Sequence, residues 1–270
     1  MVAGAPSITE APSPSESTGT WGLLEAGLAW IASNIVAGIL LAFVFSQGDF
    51  TTFVSERPGG HIGRTAGQLA TDQELVDRAL PLVWQLLLLF PGWAVLLGVS
   101  WLFAGALGRD RPGWSLKTEF SDIPLGVVSG LVLQVPILVI VVTFMQLIFG
   151  PFEPSGRALA LVDSADSPLL VFLLIFAVAI GAPIVEELFY RGIVQPALIR
   201  LTNVPIGIGL ASVLFGAVHF SLVELIPLSV VGLVFGLLAH KTGRVAPAIL
   251  AHMAFNSFTL VLLLLSLIHI

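Results

Sequence analysis

Long apolar runs constrain the fold of this chain more than any other feature. A bilayer core about 30 Å thick needs about 20 apolar residues in helical form. Seven segments approach that length, at about 21–45, 80–107, 123–149, 168–190, 205–220, 222–240 and 245–268. Strands of a membrane barrel would instead alternate apolar and polar residues in short runs. The sequence therefore predicts an all-α, polytopic transmembrane helical bundle with about seven spans, within a range of six to eight.

The composition agrees with a chain surrounded by a lipid bilayer. Hydrophobic residues make up 56% of the 270 residues and charged residues 10%, whereas a soluble domain carries about 25% charged residues. The 11 Lys and Arg residues are scattered and the net charge is −6. Because nucleic-acid binding needs clustered basic residues, a nucleic-acid partner is excluded. The content of small and aliphatic residues favours an integral protein of a bacterial cell membrane.

The polar stretches divide the chain into three predicted parts. Residues 1–20 are rich in Ser and Pro and lack Lys and Arg, which predicts a disordered tail rather than a signal peptide. Residues 21–150 are expected to form N-terminal transmembrane helices with a long polar loop at 46–79. Residues 168–268 form a C-terminal helical domain, which carries most of the ionisable residues of the apolar segments.

Glu186, Glu187 and Arg191 are the first group of ionisable residues in that C-terminal part. Charged groups inside a membrane are costly and are therefore functional candidates. On a helix, Glu187 and Arg191 stand four residues apart in the favourable order for an ion pair. Glu186 is rotated by about 100° from its neighbour, so it can face a different surface. The alternative is a helix end at the membrane surface with both acids solvated.

Two further helices contribute histidines at four-residue spacing. Phe215 precedes His219 by one turn, and His252 precedes Asn256 by one turn. The His252–Asn256 pair could share a hydrogen bond, or could offer two N–H donors to a developing oxyanion. Each histidine alone could equally be a packed core residue. Together, a carboxylate, imidazoles and an amide in three consecutive helices suit the activation of water.

The ordered motifs Glu-Glu-x-x-x-Arg, Phe-x-x-x-His and His-x-x-x-Asn resemble those of the CPBP family of intramembrane proteases. This family includes the CAAX prenyl proteases and the bacteriocin-processing, or Abi, proteins. The resemblance covers about residues 168–260, and the N-terminal third offers no matching motif. It implies a helical membrane endopeptidase with its site within the bilayer, so that 168–268 would be a CPBP-like catalytic domain acting on a peptide or protein substrate at or in the membrane.

The same resemblance implies a role for each motif residue. Glu186 would be the general base on the attacking water, with His219 assisting. His252 and Asn256 would stabilise the oxyanion. The remaining motif residues would support the site: Glu187, Arg191 and Phe215.

The resemblance leaves the use of a metal open. Glu186, His219 and His252 could supply a carboxylate and two imidazoles to zinc with one position open. The chain lacks the His-Glu-x-x-His spacing of helical zinc proteases. A metal-free mechanism, in which a glutamate activates water, uses the same residues.

Three other interpretations compete with a protease of this type. A serine protease would need a nucleophile such as Ser129, whose own segment provides no polar partner. A transporter would use the polar cluster as a proton or ion relay. A non-catalytic membrane scaffold or bacteriocin-immunity protein would keep the motifs without cleavage, and its phenotype would survive Glu186→Ala.

Overall fold

The computed structural model describes residues 21–46, 82–106, 117–151, 156–165 and 167–268. The predicted tail at 1–20 lies outside these ranges, and so do residues 47–79 of the predicted polar loop. Within the described ranges the chain forms eight helices and no strand. They are α1 (Trp21–Ser46), α2 (Leu82–Ala106), α3 (Asp122–Phe149), α4 (Gly156–Asp163), α5 (Pro168–Leu201), α6 (Val204–Ala217), α7 (Leu222–Thr242) and α8 (Ala246–Ile268).

The helix lengths confirm the predicted all-α transmembrane bundle. Five helices are long and apolar enough to cross a membrane: α1, α3, α5, α7 and α8. Two shorter apolar stretches, Leu86–Gly98 within α2 and Val204–Ala217, accompany them. The protein is thus an integral membrane protein, and its exposed leucine, isoleucine, valine and phenylalanine side chains suit contact with lipid chains.

The predicted fourth segment was too short. It was expected to end at residue 190, but α5 continues to Leu201. Arg191 does not end the span because its charge is paired with Glu187 inside the bundle, and a paired charge can be buried where an isolated one cannot. The short helix α4 lies in a stretch that the hydropathy had assigned to a connection.

Local capping signals explain where the C-terminal helices begin. The side chains of Ser167, Asn203 and Ser221 accept hydrogen bonds from backbone N–H groups in the first turns of α5, α6 and α7, respectively. These bonds satisfy donors that have no partner within the helix. Gly243 ends α7 in the left-handed conformation, with φ of 66°, which glycine adopts without strain. The connections between α5, α6, α7 and α8 are therefore short and fixed.

Small residues bring the functional helices close together. Gly126 and Gly130 of α3 lie directly against the backbone of α8, so a side chain at either position would collide with it. A Cβ added at Gly216 of α6 would lie 2.6 Å from the carbonyl oxygen of Leu225 in α7. Close approach of this kind is the usual basis of helix association in membranes. It places α3 directly against α8, and α6 directly against α7.

Two π-helical turns interrupt α5 on either side of its glutamates. They span Phe176–Gly181 and Tyr190–Val194. A third, Leu133–Ile137 in α3, contains Pro136, which lacks the N–H needed for a regular helical bond. Single π turns are rare in proteins, and those that do occur are often found at functional sites. Their position in α5 directs attention to the residues between them.

Candidate active site

Glu187 lies at the centre of a buried charged cluster. Its side chain has no exposed surface, and its two carboxylate oxygens face different partners. Oε2 lies 3.1 Å from Nε of Arg191, one turn later in α5. Oε1 lies 3.0 Å from Nδ1 of His252 in α8. The ion pair expected from the four-residue spacing is present, and the carboxylate also joins α5 to α8.

The guanidinium of Arg191 is enclosed by backbone and aromatic rings. Nη2 donates to the carbonyl oxygen of Gly232 in α7 at 3.1 Å. The guanidinium carbon lies 5.0 Å from the ring centroid of Phe215, and the rings of Tyr190 and Phe235 lie at 5.8 and 6.0 Å. A desolvated cation gains from the negative faces of such rings. Arg191 is thus held from three sides: by a carboxylate, a carbonyl and aromatic rings.

His252 is held in one ring orientation by stacking and by its bond to Glu187. Its ring lies 4.8 Å from that of Phe235 at an interplanar angle of 27°. Because an ionised carboxylate can only accept hydrogen bonds, Nδ1 of His252 is the donor to Glu187. The chemistry of this imidazole is therefore left to Nε2, as in other sites where a carboxylate orients a histidine.

His219 follows the last turn of α6 and is oriented by its own backbone. Its Nδ1 lies 2.8 Å from the carbonyl oxygen of Phe215, which makes Nδ1 the donor and gives the lone pair to Nε2. The Phe215 ring contacts the imidazoles of both His219 and His252, with centroids 5.4 and 5.8 Å away. This one buried ring therefore packs against both predicted catalytic histidines and helps to set the distance between them.

Glu186 differs from its neighbour in exposure and in partners. It is only partly buried, whereas Glu187 is fully buried. Within the described part of the chain, Glu186 forms no ion pair, and Arg191 and His252 contact Glu187 instead. A carboxylate left outside the charge cluster remains able to accept a proton from a water molecule.

Asn256 lies one turn after His252 but does not bond to it. Its Nδ2 donates to the carbonyl oxygen of Val178 at 2.8 Å. Val178 belongs to the first π turn of α5, where the helical hydrogen bonds are rearranged. Of the two arrangements considered for this pair, a direct His252–Asn256 bond is not observed. The second N–H of the amide is not used in the bond to Val178.

The described residues do not form a metal site as placed. Within those ranges no three His, Asp or Glu side chains are grouped so that they could hold a metal ion. Joint ligation of zinc by Glu186, His219 and His252 does not fit this arrangement. The zinc content of the purified protein is a prediction to test.

Several side chains at the site were not found by the sequence patterns. Gln195 is 3% exposed and donates through Nε2 to the carbonyl oxygen of Gly236 at 3.0 Å. The sequence does contain a signal for Gln195, because it is a polar residue in an apolar segment and follows Arg191 by four residues on the same helical face. The carbonyl oxygens of Gly232 and Gly236 accept hydrogen bonds from Arg191 and Gln195, respectively. Phe235 and Tyr190 carry no signal that separates them from core residues.

Comparison with known families bears on the same part of the chain. Residues 168–258 match the family model described as type II CAAX prenyl endopeptidase Rce1-like. The predicted resemblance to the CPBP family is confirmed. The match runs from the start of α5 into α8 and includes Glu186, Glu187, His219, His252 and Asn256.

One curated relative matches over a similar length. It is a presumed membrane peptidase of Bacillus subtilis (strain 168), YdiL, with 32% identity over 115 residues. The match covers 43% of this chain and 46% of that protein, so this chain aligns with less than half the length of the relative. No solved structure matches the chain at a significant level.

Proposed function

We propose that the chain is an intramembrane endopeptidase that hydrolyses a peptide bond with water activated by Glu186. The observation that carries the proposal is the pair of adjacent glutamates with different surroundings. Glu187 is fully buried, ion-paired with Arg191 and hydrogen-bonded to His252, whereas Glu186 is partly exposed and outside that cluster. One carboxylate thus organises the helices, and the other is available for proton transfer.

In the proposed first step, Glu186 takes a proton from a water molecule while the water oxygen attacks the carbonyl carbon of the scissile peptide. His219 assists through Nε2, since its Nδ1 is engaged with Phe215. The carbonyl oxygen becomes an oxyanion. Nε2 of His252 and the second N–H of Asn256 are the proposed donors to it, because preorganised donors stabilise such a charge in a site from which water is excluded.

The second step returns the proton to the leaving amine. The tetrahedral intermediate collapses, the carbon–nitrogen bond breaks, and the proton held by Glu186 or His219 passes to the amine nitrogen. The products are a carboxylic acid and an amine, and no covalent enzyme intermediate forms. Donation by Nε2 of His252 requires hydrogens on both ring nitrogens, and Glu187 lies where it accepts from Nδ1 in that state.

The comparisons support a proposal for the class of substrate and for the membrane in which the protein lies. A peptide or protein at or in the membrane is the proposed substrate, since the site lies among membrane-spanning helices. The bacterial relative supports a bacterial cell membrane as the location. A prenylated CAAX peptide is the first probe because the matching family is described by that substrate.

The test uses detergent-purified wild-type protein beside Glu186→Gln. Internally quenched peptides, including a prenylated CAAX peptide and its unmodified counterpart, are incubated with both, and the metal content of the same samples is measured. Cleavage by the wild type that falls by about 10²-fold or more in Glu186→Gln supports the proposal. Equal cleavage by both proteins contradicts it. Stoichiometric zinc would replace the metal-free mechanism with a metal-assisted one.

Absence of cleavage by either protein favours a different role. A membrane scaffold or immunity protein would keep its cellular phenotype after Glu186→Ala, and a transporter would lose transport without any change in proteolysis. A phenotype that disappears with Glu186→Ala while peptides stay intact would point to a narrow substrate.

A further inference from the structure

Two hydrogen bonds between α5 and α7 repeat at the same spacing. Arg191 donates to the carbonyl of Gly232, and Gln195 donates to the carbonyl of Gly236. Donors and acceptors are each four residues apart, so the two helices run parallel in one register. Shifting α5 by one residue, a rise of about 1.5 Å, would break both bonds together.

Gln195 is buried at a cost that packing alone does not explain. Its side chain is 3% exposed, and Oε1 has no hydrogen-bond partner among the described residues. A buried amide with one unsatisfied atom is less favourable than an apolar side chain of the same size. Leucine or methionine would fill the space between the helices without this penalty. We therefore attribute the presence of the Gln195 amide to the hydrogen bond that it donates to Gly236.

Gly236 faces the Gln195 amide and leaves room for it. A Cβ added at Gly236 would lie 2.6 Å from Oε1 of Gln195 and 3.1 Å from Ile208. Only glycine lets the amide lie directly on the α7 backbone. The Gln195–Gly236 pair is thus a second fixed point between α5 and α7, one turn beyond the Arg191–Gly232 bond.

We infer that Gln195 is a positioning residue, which acts through Arg191 on the Glu187–His252 hydrogen bond. If the Arg191–Gly232 bond were the only hydrogen bond from α5 to α7, α5 could rotate about that point. The second attachment fixes the rotation of α5 and so the direction in which Arg191 holds Oε2 of Glu187. Oε1 of the same carboxylate then receives Nδ1 of His252. The effect on catalysis rests on the proposed function, whereas the effect on His252 does not.

The test replaces Gln195 with methionine, which keeps the length and removes the donor. The full-length protein is labelled with 15N-histidine, and the imidazole signals of His252 are assigned by their loss in His252→Gln. We expect Gln195→Met to shift the Nδ1 signal of His252 and to lower kcat about tenfold with KM nearly unchanged, since small misplacements of catalytic groups have large effects on rate. The matched control is Gln134→Met, which makes the same change at a half-buried glutamine of α3.

The possible outcomes are separable. A lower melting temperature with unchanged His252 signals and kcat would mean that Gln195 only packs, and would overturn the inference. If the wild type cleaves no peptide, the His252 signals still decide the question. A shift that occurs in Gln195→Met but not in the control supports the inference. The absence of any shift in Gln195→Met refutes it.

A second variant covers the case in which Gln195→Met does not fold. Gly236→Ala keeps the amide but forces it away from α7, and should shift the His252 signals in the same way. Gly209→Ala is its control, because a Cβ there meets nothing within 4 Å. Equal signals in Gly236→Ala and Gly209→Ala would overturn the inference.

Discussion

Two clusters in this molecule join an arginine to a fully buried carboxylate, and they differ in how completely their atoms are bonded. At the ends of α3 and α7, Arg244 uses three nitrogens: Nε and Nη2 bind the two oxygens of Asp122, and Nη1 binds Glu119. Within the bundle, Nη1 of Arg191 has no hydrogen-bond acceptor among the residues that the structure describes. It has aromatic rings around it instead.

The difference indicates what each cluster does. In the Asp122–Arg244 cluster each guanidinium nitrogen bonds a carboxylate, and no histidine of the described residues bonds to the cluster. Its position at helix ends suits a structural link between α3 and the α7–α8 connection. The Glu187–Arg191 cluster lies within the membrane-spanning part and orients His252. Incomplete bonding of buried charges is expensive, and it is found here where a reaction is proposed.

The largest effect is expected from removing Arg191. Arg191→Ala leaves the Glu187 carboxylate buried without its cation, and loss of one partner of such a pair lowers the free energy of unfolding by about 3–5 kcal/mol. Chemical unfolding in mixed micelles measures it. Arg200→Ala, at an exposed position of the same helix, is the control, and equal losses in both variants would show that the buried pairing of Arg191 does not account for its effect.

Packing beside the site should matter less than its charge. Gly216→Ala introduces a Cβ 2.6 Å from the Leu225 carbonyl and 2.7 Å from Ser229 Oγ. Overpacking of this kind lowers the free energy of unfolding by about 1–3 kcal/mol, and the shift of α6 should also lower kcat through His219. Gly209→Ala on the same helix should do neither. A loss in the free energy of unfolding as large as that of Arg191→Ala would indicate that packing contributes as much to stability here as the buried charge pair does.

The Asp122–Arg244 cluster should affect stability without affecting catalysis. Arg244→Gln removes the bidentate bond to Asp122 and is expected to lower the melting temperature. At temperatures where the protein is folded, kcat should equal that of the wild type. Lys241→Gln, at an exposed position nearby, should leave both unchanged. A fall in kcat of the folded Arg244→Gln protein would show that the two clusters are coupled.

The smallest effect is expected at the connection between α6 and α7. Phe220 has φ of 51° and is 72% exposed, and a bulky residue in this region is strained. Phe220→Asn should raise the free energy of unfolding by about 1 kcal/mol, since asparagine tolerates the left-handed conformation. Destabilisation by this change would mean that the ring contributes more contact energy than the strain it imposes.

The features that could be predicted from the sequence depend on local spacing. The Glu187–Arg191 pair follows from positions four apart on one helix, and the helices other than α4 follow from runs of apolar residues. The fourth segment was ended too early because hydropathy treats Arg191 as a charge facing water. Its burial depends on Gly232, which lies on a different helix.

The contacts that could not be predicted depend on tertiary structure. No local pattern indicates that His252 bonds to Glu187 rather than to Asn256. The partner of Asn256, the Val178 carbonyl, lies in a π turn, which has no reliable sequence signature. The pairing of Asp122 with Arg244 likewise requires the close approach of α3 and α8.

The most direct test of the account compares the two adjacent glutamates in one experiment. Melting temperature and kcat are measured for Glu186→Gln and Glu187→Gln in the same detergent. The account predicts that Glu186→Gln loses about 10²-fold or more in kcat at an unchanged melting temperature, whereas Glu187→Gln loses both activity and stability. Retained activity in Glu186→Gln, together with lost activity at full stability in Glu187→Gln, would contradict the account and assign the base to Glu187.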